Sequence, residues 1–414
     1  MNWKFKIKKP EAGTPLNWEI YFPPGLATWA SEKTKQLLSE IKLPNQPEPK
    51  LRTFTEKIKL ENTNSHQIAY LFQYGYFLRD IRLVVGKTED WNHFSSHAPV
   101  ELPKEIENSV PIVRNLFQDP DKFLHSEIIS FLHGSYFEKE ITVTLSLFGE
   151  SSYIRGGKPQ FSTSAPVPED LAASLLLQGK EFGSWEGTDP AFLYLPFAGT
   201  GTFSTEWELE GSDTDRLRFP RSFVFPFLKF FPEKTISHFQ KQRQSSPKGK
   251  NTHLWLDTDP SLKAYWQKEK TRWEKIFGRN LDWSFETEDF FLYSPLKQVI
   301  RQKETFFSSK ENSSRPKLFF HMPLNPPYGF RKKEIQGEDH LLYPKIADRI
   351  IQLGEEFQSH CRKEKIDLSF SGFLLCPSEE KWMSVRNKLR NFRQKTIHVT
   401  HGGIDLRVLF FDLK

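Results

Sequence analysis

The chain has 414 residues, enough for two or three domains and at least one large core. An apolar fraction of 37% with 38 phenylalanines excludes a disordered chain. No apolar run reaches the ~18 residues of a membrane span. The basic opening "MNWKFKIKKPEAG" is not followed by an apolar stretch, so it does not read as a secretory signal. Cys361 and Cys376 are too few for a disulfide framework or a zinc cluster, which predicts a cytoplasmic protein without a metal. The net charge of +6 is modest but locally concentrated. Residues 234–250 and 381–395 each carry several lysines and arginines and no acid. Such a run is either a solvated helix face or a phosphate-contacting surface, and charge alone leaves both open.

The first 150 or so residues read as α+β. "LNWEIYFPPGL" is a strand ending in a turn, and "ATWASEKTKQLLSEI" an amphipathic helix. "HQIAYLFQYGYFLRDIRLVVG" passes from helical spacing to strand alternation. "PDKFLHSEIISFLHG" predicts a helix stopped at Gly134, and "KEITVTLSLFGESSYIRGG" a hairpin turning at Gly149. After Gly157 the pattern becomes a regular alternation. "SAPVPEDLAASLLLQG" carries the start signals of a buried helix and a stop at Gly179. Strands follow at "AFLYLPF", "THLWLD", "LDWSFE", "KLFFHMPL", "DLSFSGFLLC" and "IDLRVLFFDLK", most of them separated by helices. Repeated strand–helix units predict an open, mostly parallel sheet with helices on both faces, and sites at the carboxyl ends of its strands.

Four unusual stretches fall at such ends. "FAGTGTF" (197–203) joins a strand to a helix, with Gly199 and Gly201 free to take positive φ and a helix N-terminus able to meet an anion. It lacks the Walker and full dinucleotide signatures, so it is either a ligand loop or a tight turn. In "LWLDTDP" (254–260), Asp257 stands where a carboxylate can accept ribose hydroxyls, while Asp259 suits a helix cap; both acids could equally be caps. In "ETEDFF" (286–291), Asp289 could accept from an adenine amino group or belong to a surface turn.

The fourth stretch, "NPPY" (325–328), carries the most chemistry. An exocyclic aromatic amine is a poor nucleophile because its lone pair is delocalised into the ring. Two acceptors for its N–H bonds are available in the Asn325 side-chain oxygen and the Pro326 carbonyl. The face of Tyr328 can hold the base by stacking. The prolines fix these groups in advance, so little reorganisation is needed at reaction.

The glycine loop, the two acids and "NPPY", in that order, resemble the motifs of class I S-adenosylmethionine (SAM)-dependent amino-methyltransferases. "SAPVPEDLAASLLL", "FPRSFVFPFLKFFPEK" and "HGGIDLRVLFFDL" narrow the resemblance to the THUMP-domain guanine-N2 methyltransferases of 23S rRNA. The likeness is dense after residue 150 and fainter before it. It implies a Rossmann-like, seven-stranded α/β methyltransferase domain over 158–414, preceded by a ferredoxin-like/THUMP RNA-binding unit over 1–157. It implies SAM as cofactor, held by Phe197, Ala198, Gly199 and Gly201, with Asp257 at the ribose and Asp289 at the adenine. Asn325, Pro326 and Tyr328 would hold a flipped base of an RNA, first of all a guanine of 23S rRNA. Similar corners serve adenine-N6 in DNA or RNA, and an RNA-binding ribosome-assembly protein with impaired catalysis is the other alternative. The chain departs from the family pattern at Leu195, where an Asp is usual, and at Pro168, Trp255 and His401.

Overall fold

The computed structural model describes residues 11, 13–41, 48–87, 98–137, 140–149, 167–185, 187, 189–210, 212, 214–219, 221–243, 250–301, 315–328 and 339–413. The chain forms two compact units, one of residues 1–159 with 215–245, the other of 160–214 with 246–414.

The first unit opens with β1 (Leu16–Tyr21), α1 (Ala27–Ser39), β2 (Lys50–Thr53), β3 (Lys57–Thr63), α2 (Ser65–Tyr74) and β4 (Asp80–Lys87). These strands are antiparallel in the order β2-β3-β1-β4, the split-βαβ, ferredoxin-like arrangement. Period-two alternation puts Trp18 and Ile20, Ile58 and Leu60, and Ile81 and Leu83 into the core. A capping box starts α2. The Asn64 side chain accepts from the His66 and Gln67 N–H groups, while Gln67 accepts from the Asn64 N–H. Then come α3 (Ala98–Arg114), α4 (His125–Ser130), β5 (Leu132–Phe137) and β6 (Glu140–Ser146), which extend the sheet as β4-β6-β5. The helix expected to stop at Gly134 is thus shorter, and Gly134 lies inside a strand. The hairpin expected to turn at Gly149 is made by β6 with the preceding β5 instead, and residues past 149 lie outside those described. Alternation in "LHGSYF" was masked by its glycine.

The second unit begins with α5 (Glu169–Phe182), β7 (Ala191–Leu195) and α6 (Thr202–Glu210). α5 runs through Gly179 instead of stopping there. A Cβ on Gly179 would lie 2.6 Å from Cε1 of His321, so glycine serves close packing. Burial, with the charge of Lys180 nearby, pulls that imidazole down to about 3, and its Nδ1 lies 2.9 Å from Ser371 Oγ. His321 is a neutral core residue.

The chain then joins the first unit over 215–245, a segment that the division at 157/158 had left in the second half. Phe223 and Phe225 pack on Phe72 with ring centroids 5.1 and 5.4 Å apart, and buried Arg216 donates to the Phe72 carbonyl. α7 (Glu233–Arg243) closes this segment.

The second unit resumes with β8 (Asn251–Leu256), α8 (Leu262–Phe277), β9 (Trp283–Glu286), α9 (Leu296–Arg301), β10 (Lys317–Leu324), α10 (Asp339–Glu364), β11 (Asp367–Cys376), α11 (Glu379–Lys388), β12 (Arg393–His401) and β13 (Ile404–Leu413). The seven-stranded sheet has the order β12-β13-β11-β10-β7-β8-β9. β11, β10, β7, β8 and β9 are parallel, and β13 is reversed against both β11 and β12. One face buries Phe192, Tyr194, Phe320 and Met322 under Ile346, Ile350 and Phe357 of α10. No described helix is long and apolar enough to cross a membrane.

Candidate active site at the strand-order switch

Strand order reverses between β7 and β10, where open α/β sheets place their ligands. The ladder itself opens there. Pairing of β7 with β10 ends at Leu193↔His321, although the strands continue to Leu195 and Leu324. Their outer neighbours stay paired to the end, at Leu195↔Trp255 and Leu324↔Leu374. The glycine loop leaves one lip of this opening and the proline corner the other.

The glycine loop is tied down from several sides. Ala198 N–H donates to the Leu256 carbonyl at 3.0 Å, and Gly199 N–H to Asp257 Oδ2 at 3.1 Å. Trp266 Nε1 of α8 donates to the Gly199 carbonyl at 2.8 Å. Both glycines take positive φ, +49° at Gly199 and +71° at Gly201. Their surroundings differ. A Cβ on Gly199 would meet nothing within 4 Å, whereas one on Gly201 would lie 2.0 Å from the indole of Trp255. Trp255 is fully buried against Trp283, Trp266 and Phe285, with centroids 4.9, 5.9 and 5.3 Å away. Gly201 therefore makes room for an indole, and Gly199 leaves open space beside the start of α6.

Asp257 is half-buried, and its second oxygen accepts from Asp259 N–H at 3.2 Å. Asp259 in turn accepts from Ser261 N–H at 2.9 Å, ordering the turn just before α8. Asp289 Oδ1 accepts from Phe291 N–H at 2.8 Å, and Phe290 packs on Phe197 at 5.4 Å, bringing this turn against the glycine loop. Arg349 of α10 clamps the same turn through the carbonyls of Phe290 (3.3 Å) and Tyr293 (2.6 Å). Thus Phe197, Ala198, Gly199 and Gly201 lie in one loop, Asp257 is bonded to it, and Asp289 belongs to the turn that Phe290 brings against Phe197.

Across the opening, Asn325 and Tyr328 are half-buried, Pro326 is buried and Pro327 exposed. The Tyr328 hydroxyl donates to Asn325 Oδ1 at 2.8 Å, a bond that the sequence did not announce. Burial, with Cys376 close by, pushes this phenol well above its ordinary range, so it remains a donor. One lone pair of the Asn325 oxygen is left for another donor. The corner is also held from outside. Lys381 Nζ, in the first turn of α11, donates to the Tyr328 carbonyl at 3.4 Å and lies 5.2 Å over the ring of Tyr343. The Tyr343 hydroxyl donates to the Leu375 carbonyl at 3.2 Å. Lys381, Arg349 and the tryptophan brace are the residues that sequence reasoning missed. Only Lys381 had a signal, its place in a basic run. Leu195 is 1% exposed and belongs to the core.

No family model matches the chain. A stretch of 85 residues, 20% of the chain, is 33% identical to the ribosomal RNA large subunit methyltransferase K/L of Hydrogenovibrio crunogenus, and spans 11% of that protein. Solved structures align over nearly the whole chain. A candidate methyltransferase in complex with SAH shares 14% identity at a TM-score of 0.59, with 97% of this chain and 98% of that one covered. A suggested methylase from Clostridium difficile 630 gives 14% and 0.60 over the same shares. A protein described as a predicted N6-adenine-specific DNA methylase from Listeria monocytogenes gives 16% and 0.58, over 97% and 96%. These likenesses establish the fold these structures share with the chain, an open, Rossmann-like α/β sheet and an N-terminal α+β unit.

Proposed function

We propose that the protein is a SAM-dependent methyltransferase acting on an exocyclic amine of a flipped base, in RNA and first of all on guanine-N2 of 23S rRNA. The observation that carries this reading is the proline corner at the opening, with the Asn325 oxygen oriented by Tyr328 and one lone pair remaining. The residues on the opposite lip fit the cofactor. The open side of Gly199 and the start of α6 suit an amino-acid carboxylate, and Asp257 offers lone pairs to ribose hydroxyls. Phe197 and Ala198 would line the same pocket, and Asp289 would meet the adenine. When bound, the cofactor supplies an electrophilic methyl group on a sulfonium. Asn325 Oδ1 and the Pro326 carbonyl would accept the two amine N–H bonds, drawing the nitrogen lone pair out of conjugation toward the opening. Tyr328 would stack on the base, and the preset acceptors would act without reorganising at the moment of transfer.

The RNA preference rests on the resemblance of the whole chain, on the name of the curated relative and on the ferredoxin-like strand order of residues 1–157, which we read as a THUMP-type RNA-binding unit. A relative impaired in catalysis is the second reading, favoured by buried Leu195 and by Trp255 beneath the loop. Nucleoside mass spectrometry of rRNA from cells lacking the protein tests the function. Loss of one N2-methylguanosine is expected. Loss of an N6-methyladenosine would move the substrate to adenine, and an unchanged profile would favour the second reading.

A further inference from the structure

The two basic runs of the sequence turn out to be unlike. In residues 381–395 Arg386, Lys388, Arg390 and Lys395 are exposed, but several of the cations already have partners in the fold. Lys388 pairs with Asp348 at 2.5 Å, Arg393 with Asp412 at 2.8 Å, Lys381 holds the Tyr328 carbonyl, and Arg386 lies 5.0 Å over Trp382. Of the other run, residues 234–243 lie in α7. Here Ile236 and Phe239 are buried, Phe239 edge-on to Tyr70 at 4.9 Å, while Thr235 Oγ1 lies 2.7 Å from His66 Nδ1. That packing turns Lys234, Ser237, His238 and Lys241 outward, along a groove of about 540 Å³ whose other lining residue is Glu233. Among the described residues neither Lys234 nor Lys241 has an ion-pair partner. On a helix, an acid three or four residues from a lysine is placed to pair with it. Between the two lysines those places hold Ser237 and His238, which lie three and four residues after Lys234 and four and three before Lys241.

We propose that this stripe of α7 is a binding surface for the phosphate backbone of RNA, an inference that rests on the RNA reading of the function. Lys234 and Lys241 are two turns apart, ~10 Å along the helix, so they can meet separate phosphates. An anionic membrane surface fits less well. Interfacial helices bury an apolar face in the lipid, and the apolar face of α7 is already spent on Tyr70 and Tyr74.

The test is a salt series of binding to a transcribed 23S rRNA fragment, comparing the wild-type protein with Lys234→Gln/Lys241→Gln. Both side chains are exposed, so the melting temperature should be unchanged; the single variants serve as a check. The slope of log affinity against log salt should fall in magnitude by ~1.4–1.8 for two lost phosphate contacts, and RNA affinity at moderate salt by about tenfold, with SAM affinity unchanged. If the wild type binds the fragment and the double variant matches its slope, this surface is wrong while the RNA reading stands. If the wild type itself shows no salt-dependent RNA binding, both fall. If the lysine pair governs binding to phosphatidylserine vesicles and leaves RNA binding unaltered, the partner is a membrane and the inference is overturned.

Discussion

The glycine loop after β7 and the proline corner after β10 face the same opening but are held in opposite ways. The loop is shaped from afar: Asp257, Trp266 and Trp255 come from residues more than fifty positions later in the chain. The corner is shaped mainly from within, by two fixed φ angles and a hydroxyl that reaches back three residues, with Lys381 as an added tie from α11. The difference teaches where each can be broken. A loop held by tertiary contacts should lose stability when those contacts are disturbed, whereas a corner set mainly by its own prolines should lose chemistry and keep the fold.

The largest effect is expected at the corner. Asn325→Ala should lower turnover by roughly 10²–10³-fold, as loss of one preorganised polar group in an active site does, while SAM affinity and melting temperature stay within error. Single-turnover kinetics with a saturating cofactor measures this, and near-normal turnover would remove the corner from the chemistry.

In the loop, Gly201→Ala places a methyl inside the Trp255 indole at positive φ, and should cost ~3 kcal/mol or more in chemical denaturation. Gly199→Ala has open space around it and should cost only the ~1–2 kcal/mol of its backbone conformation, yet weaken cofactor binding. Equal stability losses would mean that the indole is not what distinguishes the two glycines. Leu195→Asp restores the acid usual in the resembling family at a position that is now core. It should destabilise by ~1–3 kcal/mol without tightening SAM binding. A gain in affinity on an undiminished melting curve would show that this side chain faces the cofactor.

The smallest expected effect is at Lys381, a positioning residue that acts through the Tyr328 carbonyl. Lys381→Met should reduce kcat by roughly 5–10-fold, the equivalent of ~1–1.5 kcal/mol, with little change in KM. Lys381→Arg should restore most of it. A variant that melts earlier at full kcat would reduce Lys381 to a structural role.

The same contrast explains what could be read beforehand. "NPPY" was legible because proline geometry is local, and the strand–helix alternation after Gly157 was legible because it repeats. The stop assigned to Gly179 failed since glycine there answers to the His321 imidazole, a neighbour more than a hundred residues away. Trp255 was legible only as a departure from the family pattern, and the structure seats it beneath Gly201. No local pattern could announce that pairing. The basic runs looked alike because sequence counts charges without showing their partners, and 381–395 spans most of α11 and the start of β12, with several of its lysines and arginines already paired.

The central claim is that SAM binds at the opening of β7 and β10, against the open side of Gly199 and the outer lone pairs of Asp257. Calorimetric titration of the full chain with SAM tests it most directly, with Asp257→Ala run alongside. The wild type should give saturable heat, and the variant should bind ~1.5–3 kcal/mol more weakly, roughly ten- to a hundredfold, for loss of a charged acceptor. No heat from the wild-type protein, or equal affinity in the two, would contradict the account.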